Sequence, residues 1–321
     1  MKHTLLGLSL ATALFGTMTS ALPADVTMPD PNYATATAVM NIIKAAAEQE
    51  LGLSVSTVTT TAVPVIWEAM DRNKGEVDIW PDTWVPNQQG LVDKYVKDKK
   101  SVKLAENGYE AKQGYCVTEV TYDKFGIKDV SDLANPENAK LFDRDGDGKG
   151  NIWIGAPGWQ STNIEKVRAR DYGFADFFNL EATDEAISNA TLDSAAKQDK
   201  PWVGYCYGPH QNFARYKLRF LEEPAYDPAK FVVVQPNEDP QWFEKSKIES
   251  AYAKTTVHIA YAASLADRQP DLVAALERMQ FNPDDVSKWA YSIIVDKKPA
   301  DEVAKDWIGA NPETVSKWFG H

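Results

Sequence analysis

A chain of 321 residues with 44% hydrophobic and 25% charged residues carries enough apolar material for two packed cores, which excludes a disordered or fibrous protein. Its net charge of −12 repels nucleic acid phosphates and anionic lipid, so no nucleic acid partner is expected, and cationic or zwitterionic partners remain.

Residues 1–24, "MKHTLLGLSLATALFGTMTSALPA", have a positive start, an apolar run from Leu5 to Phe15 and small residues before Asp25. This is the layout of a cleaved signal peptide, and the run is too short to span a bilayer. A free, exported protein is expected, because no lipidation cysteine stands near the end of that segment. Next, "TATAVMNIIKAAAEQELG" sets Val39, Ile42, Ile43 and Ala46 on one helical stripe and closes on Gly52. The alternating "LSVSTVT" predicts a strand, and "VDIW" another after a further helix; this order argues for an α/β layer with crossover connections.

Within "GEVDIWPDTWVPN" (75–87), Trp80 and Trp84 stand four residues apart among prolines and aspartates, where a core strand would carry aliphatic residues. Cys116 and Cys206 each lie in a "GYC" triplet; an exported chain with two cysteines permits one disulfide, and two buried thiols are the other reading. At "FDRDGDGKGNIWI", Asp143, Asp145 and Asp147 precede Gly148 and Lys149 with the spacing that opens an EF-hand loop. Position twelve is Ile154 where such a loop needs Glu, so a structural calcium ion and a solvated Asp/Gly turn both stay open. "NIWIGAP", "WVGYCYGP", "FVVVQP" and "VHIAYA" predict further strands, and Asn282-Pro283 and Asn311-Pro312 predict helix starts. Trp289, Trp307 and Trp318 fall on helical patterns and are assigned to packing. No repeat or Gly/Ser linker marks a boundary, and two α/β lobes are expected: residues 25–112 and 209–321 in one, 113–208 in the other.

Segments 31–37, 78–87, 155–163 and 202–210 share a composition: a Trp or Tyr beside Pro or Gly where a strand should run into a loop. In open α/β sheets, ligands bind outside the carboxyl ends of strands. Indole and phenol faces gathered there suit a methylated ammonium, which has no N–H to donate and is held by ring faces and by burial of its methyl groups. In "GWQSTNIEK", Thr162 and Glu165 have capping-box spacing, so a helix N-terminus able to receive an anionic oxygen is expected beside Trp159. Enzyme signatures are thin: no metalloprotease, nucleophile-elbow or Walker motif occurs, and His210 is read as ordering a loop. No enzyme is expected.

The segments "GEVDIWPDTWVPN", "IGAPGW", "YGPH" and "LRFLEEPAYDP", in this order and spacing, resemble the periplasmic substrate-binding proteins of glycine betaine, choline and proline betaine ABC importers, with some likeness to members that bind trimethylamine N-oxide. The resemblance implies a type II periplasmic binding protein fold, two lobes closing on a methylated amine in an aromatic cage, a membrane permease as partner, a monomer, and no required cofactor. Carried over by position, Trp84 and Trp159 match cage tryptophans, Tyr207 and Tyr33 stand where relatives have Trp, and Ser161 and Thr162 match the part that receives the ligand's anionic end. Trp80 and Trp67 are extra and would complete the wall. Two readings from other classes remain: an exported carbohydrate-binding module using the same rings as platforms, and a calcium-dependent exported enzyme resting on the Asp loop alone.

Overall fold

The computed structural model describes residues 24–321, so the expected signal peptide lies, but for Ala24, outside the described residues. In chain order the first elements are β1 (Val26–Asp30), α1 (Ala34–Leu51), β2 (Val55–Thr59), α2 (Val63–Asp71), β3 (Ile79–Val85) and β4 (Val102–Thr118). There follow β5 (Gly150–Gly155), α3 (Gln160–Asp171), β6 (Phe178–Ala182), α4 (Glu185–Lys197), β7 (Val203–Gly208), β8 (Leu218–Phe220) and β9 (Thr255–Ala262). Four helices end the chain: α5 (Pro270–Arg278), α6 (Pro283–Ile294), α7 (Ala300–Ala310) and α8 (Pro312–Phe319).

Helix α1 follows its apolar stripe and stops at Gly52, which adopts the left-handed conformation (φ 67°) and donates its N–H to the Glu48 carbonyl. Asn282 caps α6 by accepting from the Asp284 N–H. The main sheet has seven strands in the order β3-β9-β4-β7-β5-β6, with β8 on the far part of β4. β1 and β2 form a separate parallel pair. Strand β4 joins the two halves: Val102–Ala111 pairs with β9, Lys112–Val117 pairs with β7, and Cys116–Thr118 pairs with β8.

Among the described residues, four apolar clusters form the core. The largest joins α1 and the C-terminal helices to Trp84, Trp153, Trp159, Tyr205 and Tyr207. A second packs Tyr115, Phe142, Ile152, Ile154 and Phe174 in the middle of the chain. Phe213, Tyr216, Leu218 and Phe220 pack with Cys116, Leu192, Trp202 and Cys206, so residues past the boundary set at 208/209 share a cluster with the middle segment. Cys116 and Cys206 are bridged, with Cα atoms 5.7 Å apart, which resolves the choice the sequence left open. In the helical corner Trp307 stacks on Trp318 and meets Trp289 edge to face. Of the "FVVVQP" strand only Phe231–Val232 pairs, with Lys247–Ile248; beyond it Ser246 Oγ accepts from the Val234 N–H and donates to its carbonyl, replacing the ladder.

Candidate ligand-binding site

Between the two halves lies a hollow of about 40 Å³. Tyr33, Trp84, Trp159, Tyr205 and Tyr207 line it, with the polar groups of Asp82, Asn87, Gln88, Gln160 and Ser161. The rings meet edge to face: Tyr33 and Trp159 at 4.9 Å between centroids, Trp84 and Tyr207 at 5.4 Å, Trp159 and Tyr207 at 5.8 Å. Such pairs set ring planes roughly at right angles and leave faces turned to a shared space.

Each wall has a local cause. Tyr33 is the residue just before α1. Trp84 reaches the hollow because β3 carries an extra residue between Trp80 and Thr83: two steps on β9, from His258 to Ala260, face three on β3. Pro81 sits within that bulge, where its missing N–H costs no ladder bond. The bulge turns Trp80 to the opposite face. Trp80 and Trp67, both fully buried, pack into another core with Tyr95, and their indole N–H groups both donate to Gln88 Oε1, at 3.2 and 2.9 Å. They therefore support the wall from behind and do not line the hollow, contrary to expectation.

Trp159 comes from the loop between β5 and α3. Gly158 (φ 89°) carries this loop against the opposite half, where a Cβ would stand 3.1 Å from the backbone of Thr61 and Ala62. Helix α3 starts as expected, but not by a capping box: Trp159 is its N-cap and makes no side-chain cap. Thr162 Oγ1 donates instead to the Ala156 carbonyl at 2.6 Å. Glu165 turns inward to Arg168 (2.9 Å) and accepts from Tyr252 Oη (2.6 Å), while Arg168 also meets Glu223. Thr162 lies behind the hollow, and Ser161 lines it. The uncapped N–H groups of the first turn of α3 give this end of the hollow partial positive charge.

Tyr205 and Tyr207 alternate on β7, which places both on the hollow's side and Cys206 on the other. Tyr205 was missed; the "YCY" alternation carried the signal. Tyr207 Oη donates to Glu185 Oε1 at 2.5 Å, and His210 Nε2 meets the same oxygen at 2.8 Å, so His210 does order its loop. At the floor, Gln113 of β4 exchanges hydrogen bonds with Asn87 (2.8 and 2.9 Å) and takes one from Tyr205 Oη (2.8 Å). Asp82 is 1% exposed; its Oδ2 accepts from Tyr33 Oη, and its Oδ1 has no partner among the described residues. Burial pushes the Asp82 carboxyl up to about 6, opposed by the Tyr33 hydroxyl bonded to it and by the nearby Trp84 indole, and helped by the charge of Glu185. Burial, then Asp82, hold the Tyr33 phenol well above its ordinary value.

Away from the hollow, the carboxylates of Asp143, Asp145 and Asp147 come within 4.8 Å of one another. Asp143 accepts from the N–H groups of Gly146 and Gly148, and Asp147 from that of Lys149. Ile154 is fully buried in β5 and has no side-chain oxygen to offer.

The chain matches the family model described as "Substrate binding domain of ABC-type glycine betaine transport system" over residues 24–310. It is 22% identical over 291 residues to the glycine betaine/proline betaine-binding periplasmic protein of Escherichia coli K12, covering 89% of this chain and 87% of that protein. It is 26% identical over 136 residues to the glycine betaine-binding periplasmic protein OusX of Dickeya dadantii, 42% of this chain and 41% of that one. In fold it is similar to lactococcal OpuAC in its closed, glycine betaine-bound form (TM-score 0.70, 22% identity, 92% of this chain and 98% of that one). It is also similar to an ABC-transporter choline-binding protein in complex with choline (TM-score 0.69, 20% identity, 91% and 90%). Both carry the type II periplasmic binding protein architecture read from the sequence. The chain belongs to the family of substrate-binding domains of ABC-type glycine betaine transport systems, whose members bind and deliver a substrate and are not enzymes.

Proposed function

We propose that the protein is a periplasmic receptor that closes on a small methylated amine and presents it to a membrane permease of an ABC importer. The observation that supports this most is the hollow itself, where Tyr33, Trp84, Trp159, Tyr205 and Tyr207, from four distant segments, surround a space with a buried carboxyl and a helix N-terminus. A methylated ammonium cannot be held by N–H donation; ring faces attract it, each for about 0.5–2 kcal/mol. The uncapped first turn of α3 supplies N–H groups for an oxygen at the other end. A volume of about 40 Å³ suits a molecule of few atoms, such as trimethylamine N-oxide, choline or glycine betaine. Sugars need many hydrogen-bonding side chains, and Asn87 and Gln88 are already engaged with Gln113, Trp67 and Trp80.

A thermal-shift panel tests the reading. A ligand at a hundred times its Kd stabilises the native state by about 2.7 kcal/mol. Methylated amines should raise the melting temperature and maltose should not; the reverse pattern refutes the proposal. In the Asp loop, Asp143, Asp145, Asp147 and the Lys149 carbonyl offer oxygens for a weak structural calcium ion, a separate proposal supported by the converging carboxylates.

A further inference from the structure

The closest approach to a ligand-sized gap in the polar lining is Asp82. Its Oδ1 is buried without a partner, while the neighbouring polar groups of the hollow are paired among themselves: Gln88 with Trp67, Trp80 and the Asp82 carbonyl, Asn87 with Gln113. Trp159 Nε1 is a second buried group of this lining without a partner, and it can only donate. A buried polar atom left unpaired costs roughly 1–3 kcal/mol, so a molecule that satisfies both is favoured.

Resting on the reading of the site as one for methylated amines, we propose that Asp82 selects the ligand by its second end, accepting a single oxygen, as hydroxyl or amine oxide, and disfavouring a carboxylate. A hydroxyl hydrogen can bond to ionised Asp82, and the same oxygen can accept from an indole N–H. An amine oxide has no hydrogen, so it requires that Asp82 itself carry one. A carboxylate brings a full negative charge beside an acid that is hard to keep ionised even alone. The partial positive charge of the helix N-terminus attracts a carboxylate more than a hydroxyl, so discrimination against the carboxylate is assigned to Asp82 alone.

The two sources of oxygen part company with pH. The other titratable groups that face Asp82 are Tyr33, Tyr109, Tyr207 and Glu185, the last bonded to His210. Oxide binding takes up a proton, so its affinity should fall about tenfold per pH unit above the Asp82 titration; amino-alcohol binding should be flat there and weaken below it.

Titration calorimetry with trimethylamine N-oxide, choline and glycine betaine between pH 5.5 and 8.5 tests the assignment. At least one of the first two should bind about tenfold or more tighter than glycine betaine. Asp82→Asn, whose amide both donates and accepts without charge, should narrow that ratio about tenfold, chiefly by strengthening glycine betaine, and should remove the pH slope of the oxide. Tyr33→Phe, which takes away the bond holding Oδ2, should move the midpoint of that slope upward and serves if Asp82→Asn does not fold. Glycine betaine binding as tightly as both other probes, or a ratio unmoved in Asp82→Asn, overturns the role of Asp82 and leaves the receptor reading standing. Binding of none of the three refutes the receptor reading itself.

Discussion

Replacing Trp159 by alanine removes a ring of the hollow with three aromatic neighbours: Tyr33 at 4.9 Å, Trp153 at 5.7 Å and Tyr207 at 5.8 Å. Two losses combine in the bound state. The attraction between the indole face and a methylated cation is about 1–2 kcal/mol in a dry site. The ring face that touches the ligand is about a quarter of the area a tryptophan buries, roughly 50 Å², or ~1 kcal/mol at about 25 cal/mol per Å². Together they predict a loss of about 2–3 kcal/mol, or about 30- to 150-fold in Kd. The same change lowers stability by about 3–5 kcal/mol, because three edge-to-face pairs and a buried volume go with it. Calorimetry at a temperature where the variant stays folded separates the two effects, with Trp159→Phe, which keeps a ring, expected to lose about half as much affinity. Trp67→Phe is the control: it opens a gap behind the wall and should lower the melting temperature while leaving Kd within about twofold. A Trp159→Ala protein that is folded and binds the preferred amine within about twofold of the wild type would refute the reasoning.

Reduction of Cys116–Cys206, which are 90 residues apart in sequence, should cost about 2–5 kcal/mol, read as a lower urea midpoint with unchanged ligand affinity. The contribution of Asp82 to ligand-free stability should fall as pH rises from about 4 to about 6 and then level off. Folded Asp82 holds its proton up to about 6, whereas the unfolded group releases it near 3.8, so in this window the native state binds more protons. The difference amounts to about 3 kcal/mol at about 1.36 kcal/mol per unit, and Asp82→Asn should flatten the urea-midpoint profile; an unchanged slope in that variant would assign the effect elsewhere. Calcium at about tenfold its Kd should raise stability by about 1.4 kcal/mol, with magnesium weaker and no gain in Asp145→Asn/Asp147→Asn; no shift in the wild type removes the ion from the loop.

Much of this was legible in the sequence because local rules and tertiary packing agree there. The stripe of α1 and its Gly52 stop, the helix start at Asn282, and the placing of aromatics at strand ends all follow from period, capping and turn chemistry. The failures share one cause, a register or contact set by a distant segment. Trp80 and Trp84 sit four apart, which in an unbroken strand puts them on the same face; the bulge at Pro81 and Asp82 separates them, and only the pairing with β9 reveals it. Strand β4 went unread because "KLAENGYEAKQG" is polar and contains two extra residues opposite His258–Ala260, so its alternation breaks midway. Thr162 and Glu165 have the spacing of a capping box, but Glu165 turns instead to Arg168, three residues further along α3, and to Tyr252 Oη from a distant segment. Asp82 and Tyr205 were visible as residues; their place in the lining required the fold.

Strand β4 carries one more implication. Its first ten residues are laced to β9 and the next six to β7, so no loose joint separates the parts of the sheet at Gln113. A rotation of one half against the other must then be spread as twist over several peptide units of an unbroken ribbon, as in a torsion bar. Such an element favours a small set of opening angles over free swivelling, and amides on both sides of Gln113 should stay protected from solvent exchange even while the mouth is open.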